Sequence, residues 1–156
     1  MQSRPLVFGA VAATLVAAAC GSTSSVSSSP PPSPAATGTT IAVASNSKLG
    51  QILVDGAGKT VYLFVADSGS SSTCYTTCAQ IWPPVLTSGP PHAGTGASAS
   101  LLGTTTRTDG KTEVTYAGHP LYYFVQDKQP GDATGQGVNG FGGLWWVLSP
   151  SGAAVH

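Results

Sequence analysis

The folded part of this chain is written twice. Val54, Ala57, Gly58, Tyr62, Phe64, Val65 and Asp67 recur as Val114, Ala117, Gly118, Tyr122, Phe124, Val125 and Asp127, all at an offset of sixty. That makes seven identities in fourteen ungapped positions, and Val61 is answered by Leu121. Further on, Ile81-Trp82 is answered by Leu144-Trp145 at a slightly larger offset. Such a chain folds as two copies of one supersecondary unit, neither of which covers its apolar face alone.

The residue types within each copy are those of strands. Gln51–Asp55 and Thr60–Ala66 flank Gly56-Ala57-Gly58-Lys59, a hairpin break, and Glu113–Tyr116 and Leu121–Val125 flank Ala117-Gly118-His119-Pro120. Ile41–Ala44, Ala99–Leu102 and Trp145–Leu148 add further short strands. Beyond residue 40 no helical period is sustained, and 20 glycines with 12 prolines in the chain oppose long helices. The expected architecture is all-β: a small antiparallel sandwich or partly closed barrel, with pseudo-twofold symmetry. Its domain runs over 41–156, with repeats of about 41–98 and 99–156.

What precedes the domain concerns location. Arg4 and the uncharged run Pro5–Ala19, ending in Ala17-Ala18-Ala19, form an export signal over 1–19. Cys20 then stands first after the cut, where bacterial lipoproteins carry a diacylglyceryl thioether. Ala17-x-Ala19 also suits ordinary cleavage, which would leave a freely secreted chain. Cysteine arithmetic favours the lipid: of three cysteines, Cys74 and Cys78 make a local pair and Cys20 is left over. Residues 20–40 read as a disordered tether. From Gly21 to Thr40 there are seven serines, four prolines and no charged or aromatic residue. Ser/Thr with Pro is also a composition open to O-glycosylation.

Charge excludes one class of partner. Charged residues make up 8% of the chain, against about 25% in an average soluble protein. Five basic residues face six acidic ones after the signal, so no basic patch exists to neutralise a nucleic-acid backbone.

Both copies carry Tyr-x-Phe-x-x-Asp. The chain thereby resembles the bacterial secreted-repeat lipoproteins defined by a Yx(F/W/Y)xxD motif, whose biochemical function is unknown. The resemblance covers roughly residues 50 to 150. It includes Cys74-x3-Cys78 with Trp82-Pro83-Pro84, and Gly118-His119-Pro120-Leu121-Tyr122 with Gly135-Gln136-Gly137 and Trp145. It implies an envelope location and a repeat fold, and no activity.

Each candidate site has a structural and a chemical reading. Tyr62 and Phe64 are two apart, as are Tyr122 and Phe124, so each pair shares a strand face and reads as core. Asp67 and Asp127 fall at strand ends, where a carboxylate accepts backbone N–H groups and pins the turn. The rival reading makes them a symmetry-related pair that binds a cation or exchanges protons. Cys74 and Cys78 suit a small disulfide staple in an exported protein; the rival is a metal or redox site completed by His119. His119 aligns with Lys59 and so reads as a turn residue, while His92 and His156 lie too far apart in sequence for a structural zinc set. Trp82, Trp145 and Trp146 could line a ligand groove, though at least two of them suit the core. No GxSxG, HExxH or P-loop occurs. The expected protein is therefore a non-enzymatic, lipid-anchored, extracytoplasmic binding or scaffolding module without a cofactor. Its partners are the membrane, through Cys20, and an unknown envelope ligand. The alternative is an extracytoplasmic metal- or redox-associated lipoprotein using the CxxxC pair.

Overall fold

A computed structural model describes residues 37–156. The signal, Cys20 and the tether up to residue 36 lie outside the described residues. Residues just ahead of the expected boundary at 41 already pack against the domain. Gly38 is buried, and Thr39 donates its N–H to Thr87 Oγ1 at 3.1 Å and its hydroxyl to the Leu86 carbonyl at 2.7 Å.

Each repeat opens with a hairpin. In the first, β1 (Thr40–Asn46) pairs antiparallel with β2 (Gly50–Asp55), from Ile41 opposite Asp55 to Asn46 opposite Gly50. Asn46 Oδ1 closes the turn by accepting the N–H groups of Lys48 and Leu49, a local bond that asparagine offers readily. A tight turn at Asp55, whose Oδ1 accepts from Ala57 and Lys59, then leads into β3 (Tyr62–Phe64). A five-residue helix α1 (Thr77–Ile81) and the two-residue β4 (His92–Ala93) complete this half, with β4 running parallel to β1. The second half repeats the plan with β5 (Leu102–Thr106), β6 (Thr112–Tyr116) and β7 (His119–Pro120), then β8 (Asn139–Gly140) and β9 (Gly143–Val147). The turn between β6 and β7 holds Ala117 at φ 50° and Gly118 at φ 82°, the paired left-handed geometry that suits a two-residue hairpin.

Among the described residues three small sheets result, ordered β2-β1-β4, β3-β9-β8 and β5-β6-β7. The fold is all-β as expected, and its sheets do not close into a barrel. Alternation sorts side chains onto two cores. Tyr62, Phe64, Ile52 and Val54 join an aromatic core, while Val61, Leu63 and Leu53 join an aliphatic one with Ile41, Val85, Val114, Leu121 and Leu148.

Three expected strands are altered. Thr60–Ala66 shortens to Tyr62–Phe64, with an isolated bridge from Thr60 to Val54. Ala99–Leu101 is a 3-10 turn, and the strand starts only at Leu102. There the Leu101 N–H turns back to the Ser98 carbonyl and the Tyr116 hydroxyl takes the Ser98 N–H, so these donors serve the turn, and only the Leu101 carbonyl receives a bond from beyond β6, from the Ala117 N–H. Leu121–Val125 keeps only isolated bridges at Tyr122. Its neighbour explains the loss. Tyr123 and Val125 donate to the carbonyls of Pro83 and Ile81, but Pro83 and Pro84 have no N–H to return. The equivalent first-repeat segment faces Trp145–Val147, which have their N–H groups, and β3 pairs regularly with β9.

The repeats are interlocked rather than stacked. Val65 donates to the Leu144 carbonyl as Val125 does to Ile81, and Leu53 donates to Leu148 as Val114 does to Val85. Each motif segment therefore lies against the tryptophan segment of the other repeat. At the centre Tyr62 and Tyr122 exchange both backbone hydrogen bonds, at 2.8 and 2.9 Å, which marks the pseudo-twofold.

Candidate functional site

The motif residues meet around that pseudo-twofold. Phe64 stacks on Trp145 at 4.0 Å, Trp145 on Trp82 at 4.0 Å, and Trp82 on Phe124 at 4.2 Å between ring centroids. The result is a four-ring column in which each repeat's phenylalanine caps the other repeat's tryptophan. Tyr62 meets Trp82 edge-on at 5.3 Å, and Tyr122 meets Trp145 edge-on at 5.2 Å. Offset stacks and edge contacts are the favoured aromatic arrangements, adding about 0.5–1.5 kcal/mol per pair beyond area burial.

The polar ends of the motif cross over as well. Tyr62 Oη donates to Asp127 Oδ2 at 2.6 Å, and Tyr122 Oη donates to Asp67 Oδ2 at 2.7 Å. The other oxygen of each aspartate holds its own turn. Asp67 Oδ1 accepts the N–H and hydroxyl of Thr73, both at 2.7 Å, and Asp127 Oδ1 accepts the N–H of Thr134 at 2.9 Å and its hydroxyl at 2.5 Å. One oxygen of each aspartate thus pins its own turn, and the other ties the repeats together. Burial, followed by the bond to Asp127, pushes the Tyr62 hydroxyl well above its ordinary range; burial, followed by the charge of Glu113, does the same for Tyr122. Both therefore stay protonated as donors.

The two clasps differ in what supports them. The Gly135 N–H donates to Tyr62 Oη at 3.2 Å. A Cβ on Gly135 would stand 2.6 Å from the Trp82 ring and 3.0 Å from Tyr62, so glycine is needed for this close approach. On the other side, Arg107 Nη1 donates to Ser72 Oγ, which lies 2.7 Å from Tyr122 Oη. Since the Tyr122 proton goes to Asp67, the serine hydroxyl is the donor in that contact. Arg107 also donates to the Cys74 carbonyl at 2.7 Å and to Glu113 Oε2 at 2.8 Å.

A disulfide joins Cys74 and Cys78, with Cα atoms 5.2 Å apart, and both residues are buried in the aromatic core. Cys78 sits on α1, whose carbonyl there accepts the Trp82 N–H at 2.7 Å, so the staple fixes the tryptophan segment of the first repeat. Both sulfurs being in the bond, neither is the thiolate that a metal takes. His119 lies on β7 opposite Tyr116, His92 on β4, and His156 meets the half-buried Trp146 edge-on at 4.7 Å. Trp82 and Trp145 are buried in the core, and Trp146 is half-buried. Among the described residues no group of three His, Cys, Asp or Glu side chains is placed to hold a metal ion. An open groove of about 420 Å³ runs between the β1–β2 turn and residues 131–136. Its Asn46 and Gln136 side chains already bond to the backbone at Gly131, Val155 and Val147.

Sequence reasoning did not foresee Ser72, Thr73, Arg107, Glu113 or Thr134 in this network. A signal was present for two of them. Glu113 is the only glutamate in the chain, and Arg107 the only arginine apart from Arg4.

Fold and site together define an all-β protein made of two interlocked repeats and held by a crossed tyrosine–aspartate motif. The chain belongs to the family described as a secreted repeat of unknown function, which matches it twice, over residues 43–86 and 103–149. Each match runs from the opening hairpin to the end of the tryptophan segment, the unit seen in the fold. That description puts the chain among extracellular proteins, and among the described residues no helix is long and apolar enough to cross a membrane. No curated protein and no solved structure matches the chain.

Proposed function

We propose that this protein is a lipid-anchored module of the cell envelope that binds or scaffolds an extracytoplasmic partner without catalysing a reaction. One observation carries the reading. The groups that looked most like chemistry, Asp67 and Asp127, commit their oxygens to Tyr122, Tyr62, Thr73 and Thr134. The motif thus holds a rigid platform together, and recognition falls to surface loops that differ between the repeats. The anchor is Cys20, placed directly after Ala17-Ala18-Ala19. Each buried CH₂ of an acyl chain contributes about 0.8 kcal/mol, and two or more chains hold a protein stably.

Cys20→Ser tests the anchor. The variant should move from the membrane fraction to the medium or accumulate as uncleaved precursor. A processed Cys20→Ser protein that still needs detergent for extraction would defeat the lipoprotein assignment. Crosslinking on intact cells with pull-down of the wild type then identifies the partner. A free-thiol count above zero at Cys74 and Cys78 in air-oxidised protein, with bound metal, would instead support a redox or metal role.

A further inference from the structure

Glu113 is fully buried on β6, yet one of its two oxygens has no partner. Oε2 accepts from Arg107, whereas no donor among the described residues reaches Oε1. Among the described residues its one ion-pair partner, Arg107, is shared. Arg107 Nη1 also serves Ser72, Nη2 serves the Cys74 carbonyl, and Nε lies 3.6 Å from Asp109. The groups facing this pair can be counted element by element. From the β5–β6 turn come Arg107 and Asp109, with the exposed Lys111 4.0 Å from Asp109. From the disulfide loop comes the Tyr75 ring, 4.4 Å below the guanidinium. From the motif turns come Asp67 and Tyr122, joined to Arg107 through Ser72. The neighbours in the pairing, Thr105 on β5 and Leu86 across an isolated bridge, carry no charge. One buried guanidinium thus answers two carboxylates directly, Glu113 and Asp109, with Asp67 a third charge nearby, reached only through Ser72 and Tyr122.

We infer that the Glu113 carboxyl is a proton-binding site, and that proton uptake there stabilises the fold. An ionised carboxylate with an unsatisfied oxygen in a dry site bears a desolvation cost that one shared cation does not cancel. Taking up a proton removes that charge and its repulsion with Asp67, while Arg107 keeps Asp109 as a counter-charge. Burial accordingly pushes the Glu113 carboxyl up from 4.5 to about 7, against the opposing pull of Arg107. The sign follows from linkage. The folded state holds the proton more tightly than the unfolded chain, so this stabilisation is complete below about 4.5 and is lost as pH rises through about 7. The contribution of Glu113 thus favours the fold in mildly acidic surroundings and fades towards alkaline ones.

Because Glu113 is the only glutamate, full-length protein labelled with ¹³C at the glutamate carboxyl gives one folded-state resonance. That signal should titrate near neutrality; a midpoint in the ordinary carboxylate range would overturn the inference. The second arm is denaturant unfolding of the full chain between pH 5 and 8. For a carboxyl moving from 4.5 to about 7, the folding constant should fall about 70-fold over that span. Glu113→Gln, which leaves all three histidines in place, should lack this fall. Equal slopes in the two proteins would also overturn the inference. The labelled wild type decides the matter if the variant does not fold.

Discussion

Crossing of the motif between repeats predicts which residue pairs are energetically coupled. Tyr62→Phe deletes the 2.6 Å bond to Asp127 and takes from the Gly135 N–H its acceptor. Hydrogen bonds to charged groups contribute about 1.5–3 kcal/mol, and a buried donor left alone adds to the loss, so the variant should lose about 3 kcal/mol. Asp127→Ala should cost at least as much, because the two Thr134 bonds go with it. In the double variant the shared bond is lost only once. The coupling energy should therefore be about 1.5–3 kcal/mol, whereas Tyr62→Phe with Asp67→Ala, in the same repeat, should add to within about 0.5 kcal/mol. The Tyr122–Asp67 pair should couple too, but less strongly, because Asp67 is only half-buried. Urea unfolding followed by tryptophan fluorescence supplies all these values, since Trp82 and Trp145 lie in the ring column. EDTA should change none of them. Strong coupling within a repeat and none across would refute the crossed arrangement.

Two other perturbations have definite outcomes. Gly135→Ala places a methyl against Trp82 and Tyr62 and should cost about 1–3 kcal/mol by overpacking, with a weakened near-ultraviolet tryptophan signal in circular dichroism. Replacing both Cys74 and Cys78 with alanine opens a loop of only four residues' separation. The loss should fall in the lower part of the roughly 2–4 kcal/mol range for disulfides, read as a lowered midpoint of thermal unfolding. The reduced wild type should behave like that variant.

The repeat, the hairpins and the core aromatics were legible in the sequence because they rest on local pattern. Alternation at Val61-Tyr62-Leu63-Phe64 assigns side chains to faces without knowledge of any partner strand. The shortening of Leu121–Val125 was less visible, since it depends on Pro83 and Pro84 arriving opposite from the other repeat. The destination of each tyrosine was not legible. Asp67 lies five residues beyond Tyr62, yet Tyr62 bonds to Asp127, 65 positions away. Only the long-range pairing of Tyr62 with Tyr122 sets that choice. The Arg107–Glu113 pair lay within one hairpin and could have been read from the rarity of both residue types.

Interlocking of the two repeats is the claim on which the rest depends, and split-chain complementation tests it directly. Residues 37–98 and 99–156 are expressed separately with ¹⁵N labels, and amide spectra are recorded for each half and for the mixture. Neither half closes the ring column or a clasp by itself, and each leaves strand edges unpaired. Each alone should therefore give a narrow, undispersed or aggregated spectrum, and the mixture should regain the dispersed spectrum of the whole domain. A well-dispersed spectrum from either half alone would contradict the account.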